Sequence, residues 1–315
     1  MNSKLSSLCV MGAGVLWGLL SIYSNALADV GITSVQVGFC RVLIAAVVLF
    51  IYIVIRFPQK LKIKLKDIWC FIAAGFVSLT LFNLSYFTTI ANSQASIAVM
   101  LLYTSPIFVM LLSAVIFKER ITGRKILALI CTFTGCLLVS GFLAGGQNAV
   151  TPWVLTTGLA SGFFYGTYSI FGSFALKRYE PLTVTFYTLV FSAISSVPFA
   201  DVTDIVSSVA KEPSSILWIL GIGIIGTVVP YILYTVGLNH MEAGRAAILA
   251  TTEPLVGTLV GIFLFGEPHG IAKIAGLLLI LASVIVLNIN AAKDTGAASS
   301  ASAASSASAA DKYTI

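Results

Sequence analysis

Ten apolar runs of about 20 residues constrain this chain more than any other feature of it. They cover approximately 5–28, 35–55, 68–91, 95–117, 124–143, 152–176, 182–200, 215–238, 244–265 and 271–290. A helix of that length spans the hydrocarbon of a bilayer. The runs are continuous, which excludes barrel strands, whose apolar residues alternate. Composition agrees: 58% of the 315 residues are hydrophobic, 10% are charged, and mean hydropathy is +1.01. Soluble domains carry roughly a quarter charged residues, so an ordinary wetted surface is excluded. The expected fold is all-α, a polytopic membrane protein of ten transmembrane helices. No gap between runs has room for an inserted soluble domain.

The net charge of +6 invites a nucleic-acid reading, but the basic residues sit in short gaps between apolar runs and form no phosphate-tracking stretch. Allocating the gaps alternately to two sides puts fifteen of the eighteen Lys and Arg on the side of the N-terminus. Lys211 and Lys273 fall on the other side, and Arg41 lies inside a span. The positive-inside bias therefore predicts both termini in the cytoplasm of a cell-membrane protein, with anionic lipid headgroups as the partners of the basic clusters. Lys4, the apolar run behind it and Ala26-Leu27-Ala28 resemble a signal peptide. The repeat described next gives this span an internal partner, so it is read as a mature helix. Five cysteines without a CxxC spacing lie in or beside apolar runs, where thiols behave as small hydrophobes. No cofactor and no metal are expected. Residues 291–315 are Ala/Ser-rich and are expected to form a disordered cytoplasmic tail.

The two halves match at a constant offset of 148 residues. Gly14-Val15-Leu16-Trp17-Gly18 falls on Gly162-Phe163-Phe164-Tyr165-Gly166, and Thr104-Ser105-Pro106 falls on Thr252-Glu253-Pro254. Gly75, Tyr86, Phe117, Glu119 and Lys125 fall on Gly223, Tyr234, Phe265, Glu267 and Lys273. A dozen matches at one offset, Pro, Glu and Tyr among them, mark a duplication. Residues 1–147 are expected to form the first five-helix repeat and 148–290 the second. Five spans is an odd number, so the second copy enters the membrane from the opposite side and the repeat is inverted. Inverted repeats place a shared cavity near the bilayer midplane and permit alternating access.

These motifs resemble the drug/metabolite transporter superfamily, in its ten-helix EamA-type branch. The resemblance rests on the WGxxS-like first span, the short turn Ala91-Asn92-Ser93-Gln94-Ala95, Pro106 followed by Phe117-Lys118-Glu119, and the second-copy set Asn239-His240-Met241-Glu242-Ala243, Pro254 and Phe265-Gly266-Glu267. It covers residues 5–290 and implies an inner-membrane carrier of small metabolites, often an exporter of amino acids or related compounds. In the related four-helix small multidrug resistance proteins a first-helix Glu carries proton and cation. Here the first span has no acidic residue before Asp29, so that mechanism does not transfer.

Polar side chains within spans are the candidate substrate-binding residues. Trp17, Ser21 and Asn25 recur every four residues on the first span, as do Tyr165, Ser169 and Ser173 on the sixth. Asn83 and Tyr86 on the third correspond to Tyr231 and Tyr234 on the eighth. Such rings and hydroxyls suit a small amphipathic solute, or else bond across helices as packing glue. A charge inside a span needs a partner, water or a purpose. Arg41 either snorkels outward, pairs with Glu253 or takes part in coupling. Glu253, just before Pro254, either binds a substrate amine and carries protons or forms that pair. Pro106 and Pro254 interrupt equivalent spans as hinges or half-helix ends beside the site, or else as tolerated kinks. Gly14/Gly18, Gly162/Gly166 and Gly257/Gly261 read as close-packing GxxxG pairs. Gly221-Ile222-Gly223-Ile224-Ile225-Gly226 spells a dinucleotide motif but lies inside an apolar run without the strand-turn-helix context.

A secondary carrier is the leading function, since no GxxxxGK[ST] loop occurs. A lipid or lipid-linked headgroup flippase would share the cavity and add a lateral opening. A membrane enzyme would need clustered carboxylates, histidines or a Ser/Lys constellation at one depth, and the spans offer none. The state is a monomer or homodimer.

Overall fold

The computed structural model describes residues 2–93, 95–140, 151–267 and 270–288. The expected Ala/Ser-rich tail and the expected boundary between copies lie outside the described residues. Among the described residues ten long helices follow in order. They are α1 Ser3–Asp29, α2 Ser34–Arg56, α3 Leu65–Asn92, α4 in two pieces (Ala95–Leu102 and Ser105–Phe117) and α5 Gly123–Val139. The second half supplies α6 Pro152–Leu176, α7 Pro181–Ser196, α8 Ser215–Leu238, α9 in two pieces (Ala243–Leu249 and Thr252–Phe265) and α10 Ile271–Asn288. Seven of these stretches are long and apolar enough to cross a membrane. The more polar α6 buries Thr157, Ser161, Thr167 and Ser169 against its neighbours.

Local chemistry sets the ends. Thr33 and Gln36 form a capping box at α2, with amide–side-chain distances of 2.7 and 3.4 Å. Thr122 and Thr151 cap α5 and α6, and Pro152 and Pro181 occupy first-turn positions where no amide donor is needed. α4 and α9 end alike: Lys118 (φ 56°) and Gly266 (φ 64°) turn left-handed, and the next amides, of Glu119 and Glu267, donate to Ser113 O at 3.3 Å and Gly261 O at 3.0 Å. The gap between α7 and α8, read from sequence as a connector, contains a further short helix, Val202–Lys211. Asp201 caps it, and it buries Ile205 and Ser208 while exposing Val202 and Val206, an interfacial pattern too short to register as a span.

Alternating helix direction defines two faces, and contacts between connectors agree with it. On one face Arg245 reaches Ser3 and Ser7 at 3.4 and 3.0 Å, the Tyr179 hydroxyl accepts from Lys64 N at 3.0 Å, and the Tyr187 hydroxyl donates to Leu61 O at 2.6 Å. Asp67, buried there, pairs with Arg178 and accepts from the Tyr179 hydroxyl. We call this the basic face. On the opposite face Gln36 donates to Asp204 at 2.8 Å.

The two copies pack crosswise. Gly14 of α1 lies against Thr252 Oγ1 and Ala250 O of α9, while its repeat equivalent Gly162 of α6 lies against Thr104 Oγ1 and Leu102 O of α4. Gly18 abuts Glu253 O and Gly257 N, and Gly166 abuts the equivalent atoms, Ser105 O and Val109 N. α3 and α8 repeat the pattern: Gly75 presses on Ser192 of α7, and Gly223 on Ile44, the equivalent position of α2. The fifth helices meet each other, with Gly135 against Gly276 and Ile280, and Thr132 donating to Ser283 at 2.9 Å. Each element of one copy thus holds its symmetry mate's partner in the other, which is the signature of a twofold relation. With five helices per copy, that axis lies in the plane of the membrane. Small residues bring the helices close because lipid offers no hydrophobic drive to associate.

Candidate functional site

Each copy interrupts its fourth helix. α4 breaks at Tyr103–Thr104 and α9 at Ala250–Thr251, and Pro106 and Pro254 follow in the first turn of the resumed helix. The prolines therefore start half-helices rather than kink continuous ones. The amides of such a start carry partial positive charge, and Glu253 occupies that first turn in α9. Its Oε2 accepts a hydrogen bond from the Tyr165 hydroxyl at 3.0 Å.

A cavity of about 610 Å³ opens beside Glu253, between α1, α2, α3, α4, α5 and α9. Trp17, Ser21, Arg41, Asn83, Tyr86, Glu253 and Pro254 line it. Three buried polar atoms of residues that line it have no hydrogen-bond partner among the described residues: Trp17 Nε1, Ser21 Oγ and Arg41 Nε. No ion pair among the described residues joins Arg41 to Glu253. Both charges face the same space, one donor-rich and one acceptor-rich. The mouth includes Ser34, Ser140, Glu267 and Lys273, all on the opposite face.

Toward the basic face the cavity ends in a packed plug. Trp17 stands edge-on to Tyr231 at 5.2 Å between ring centroids, and Tyr231 edge-on to Tyr168 at 5.3 Å. Ser169 bonds the Tyr234 hydroxyl at 2.7 Å, and Tyr168 bonds Thr235 at 2.8 Å. Tyr165, Ser169, Tyr231 and Tyr234 surround only a void of about 30 Å³, room for about one water. A second recess of about 580 Å³, lined by Lys118, Glu119, Lys177 and Asn239, lies beyond the plug on the basic face.

The sequence candidates thus divide. Trp17, Ser21, Asn83, Tyr86, Arg41, Glu253 and Pro254 meet at the cavity. Tyr165, Ser169, Tyr231 and Tyr234 belong to the plug. Pro106 is buried at the α4 break and does not line the cavity. Asn25 is exposed, and Ser24 lines the wall instead. A four-residue spacing precesses by about 40° per step on a helix of 3.6 residues per turn, whereas residues 17, 21 and 24 stay within one face. Phe82, Tyr103, Glu267 and Lys273 also line the cavity and had no sequence assignment as site residues. Phe82 packs on Tyr165 and Tyr86, at 5.1 and 5.8 Å between centroids. The repeat itself flagged Glu267 and Lys273, as partners of Glu119 and Lys125.

Two interlocked five-helix units thus enclose a cavity, and comparison with known proteins gives the family. A model of the EamA-like transporter family matches residues 4–141 and again 152–289; the chain belongs to that family. It is 31% identical to an "uncharacterized transporter" of Archaeoglobus fulgidus over 64% of this chain and 70% of that protein. It is 24% identical to the "uncharacterized inner membrane transporter YicL" of Salmonella typhimurium, over 93% of this chain and 98% of the relative. The "uncharacterized transporter YwfM" of Bacillus subtilis is also 24% identical, over 91% and 95%. A solved crystal structure superposes with a TM-score of 0.75 at 18% identity, covering 93% of this chain and 99% of the other. The protein is accordingly a multi-pass membrane transporter and not an enzyme.

Proposed function

We propose that this transporter is a secondary carrier that moves a small amphipathic metabolite, an amino acid or related compound, out of the cell by alternating access. The observation that carries the reading is the shared wall of Arg41 and Glu253 in a cavity of about 610 Å³, a size suited to a small solute. A carboxylate on the solute would pair with the Arg41 guanidinium. An ammonium would meet Glu253, and apolar parts would lie on Trp17, Tyr86 and Phe82. Asn83 would fix orientation. The half-helix starts at Pro106 and Pro254 serve as the points where each copy flexes. The bias of basic residues supports a cytoplasmic basic face; the cavity then opens outward, and the aromatic plug separates it from the cytoplasm. Glu253, hydrogen-bonded to Tyr165, is the residue we assign to proton coupling.

The test is metabolite profiling of the medium around cells overproducing the protein, compared with Glu253→Gln and Arg41→Gln variants of equal abundance. One compound class bearing both a carboxylate and an amine should accumulate outside, and each variant should reduce it about tenfold or more, as expected when one partner of a buried charged contact is lost. Accumulation of a neutral or lipid-like class, unaffected by both substitutions, would overturn the assignment.

A further inference from the structure

Glu119 and Glu267 hold equivalent positions in the two copies, each just after a left-handed helix end, yet their surroundings differ. Glu119 reaches into the other copy: its carboxylate accepts from the backbone amides of Ala243 at 2.9 Å and Gly244 at 3.4 Å, at the start of α9. Its side chain is 11% exposed. Lys125, itself buried, stands 3.7 Å from Glu119 and 2.6 Å from Glu242, tying the same junction. Among the described residues Glu267 makes no such crossing. It folds back over Gly261 of its own helix, pairs with Lys273 at 2.9 Å, is 52% exposed, and lines the cavity mouth. One glutamate is engaged on the closed face and its twin is released on the open face.

We infer that Glu119 and Glu267 are a pair of alternating latches, one for each face of the transport path. Resting on the alternating-access reading above, the mechanism follows from the twofold relation. When the basic face opens, Glu119 leaves Ala243 and Gly244 and turns back along α4, as Glu267 now lies along α9. When the cavity mouth closes, Glu267 takes the first amides of Ala95–Leu102, the segment equivalent to Ala243–Leu249. A carboxylate suits both positions, because it gains charge-assisted bonds to amides when engaged and a lysine partner or water when released. The copies are not equal in strength. The position equivalent to Glu242 is Gln94, so Lys125 has a second carboxylate in the basic-face latch that Lys273 lacks by sequence. That difference favours the state with the basic face shut.

The experiment is hydrogen–deuterium exchange of the full-length protein in lipid nanodiscs, followed on peptides covering 95–102 and 243–249. Glu119→Gln should raise exchange at 243–249 roughly tenfold and lower it at 95–102, because Glu267 then engages. In the Glu119→Gln/Glu267→Gln double variant the protection at 95–102 should vanish. A rise at 243–249 with no change at 95–102 makes Glu119 a local cap and overturns the proposal, as does protection at 95–102 that survives in the double variant. A separate arm tests the reading beneath it. A Cβ at Gly244 would lie 3.4 Å from Ser113 Oγ, so Ser113→Cys/Gly244→Cys can be bridged by oxidation. With the oxidised protein reconstituted into liposomes loaded with the compound class found by profiling, the bridge should stop release and a reductant should restore it. Release that continues across the formed bridge sinks alternating access itself, whatever the latch variants do.

Discussion

The crosswise glycine contacts make a sharp and asymmetric prediction at the junction of α1 and α9. A methyl group on Gly18 would stand 2.6 Å from Val256 Cβ, 2.8 Å from Glu253 O and 2.9 Å from Gly257 N. Non-bonded carbon contacts settle near 3.5–4.0 Å, and two of the three neighbours are backbone atoms that cannot turn aside. The helices must therefore part by up to about 1 Å, and overpacking of this kind costs about 1–3 kcal/mol. Gly257 faces Gly18 across the same junction, but a methyl there would lie 3.7 Å from Gly18 O and 4.0 Å from Gly18 Cα, which is ordinary contact. Gly257→Ala should be neutral, or stabilising by up to about 1 kcal/mol from helix propensity. Thermal unfolding of the purified full-length protein in one detergent, read by circular dichroism, should separate the two. Gly18→Ala should fall by about 2–4 °C per kcal/mol, while Gly257→Ala holds or rises. Equal damage from both, or an inert Gly18→Ala, would refute the packing described here.

Three further outcomes can be checked. Lys118→Gly should stabilise by up to about 1 kcal/mol, because the left-handed φ costs a lysine roughly 1–2 kcal/mol and glycine's freer unfolded chain gives back about 0.4–1 kcal/mol of that; the same thermal assay reads it, with Gly266 as the natural comparison. Thr132→Val should cost about 0.5–1.5 kcal/mol by removing the donor to Ser283 between α5 and α10, without altering metabolite release. Tyr165→Phe removes the hydroxyl that donates to Glu253, and release should drop several-fold with little change in unfolding temperature.

Length and apolarity made the ten helices readable, and the offset between Gly14 and Gly162 or Thr104 and Thr252 made the duplication readable, since both are properties of local sequence. The crosswise pairing was only half visible. The GxxxG pairs announced close contacts, but which helix each would meet depends on tertiary geometry. Trp17, Ser21, Arg41 and Glu253 were recognisable as site candidates because polar groups in a span demand a reason. Tyr165 and Tyr231 looked like the same lining yet sit in the plug, because sequence depth does not reveal which half of a path is closed. Val202–Lys211 was missed because ten amphipathic residues on an interface lack the continuous apolarity that marks a span. Phe82 carried no signal at all, being one phenylalanine among 20.

The third helix of each copy departs from α geometry in a matching place: α3 is π-helical over Ala73–Thr80 and α8 over Ile224–Val228, and the two segments end at equivalent positions. Ser78, Thr80 and Thr227 return hydroxyls to carbonyls five residues back, at 3.3, 3.5 and 2.8 Å, closing the widened turns. A π turn stores one more residue than an α turn needs. Each copy therefore carries slack in the rod that bears Asn83 and Tyr86 or Tyr231 and Tyr234. Under the alternating access proposed above, that spare residue, drawn in or paid out, would let one half of the rod swivel against the other. A chain shortened by one residue within 73–80 would keep its length of membrane crossing but lose the swivel.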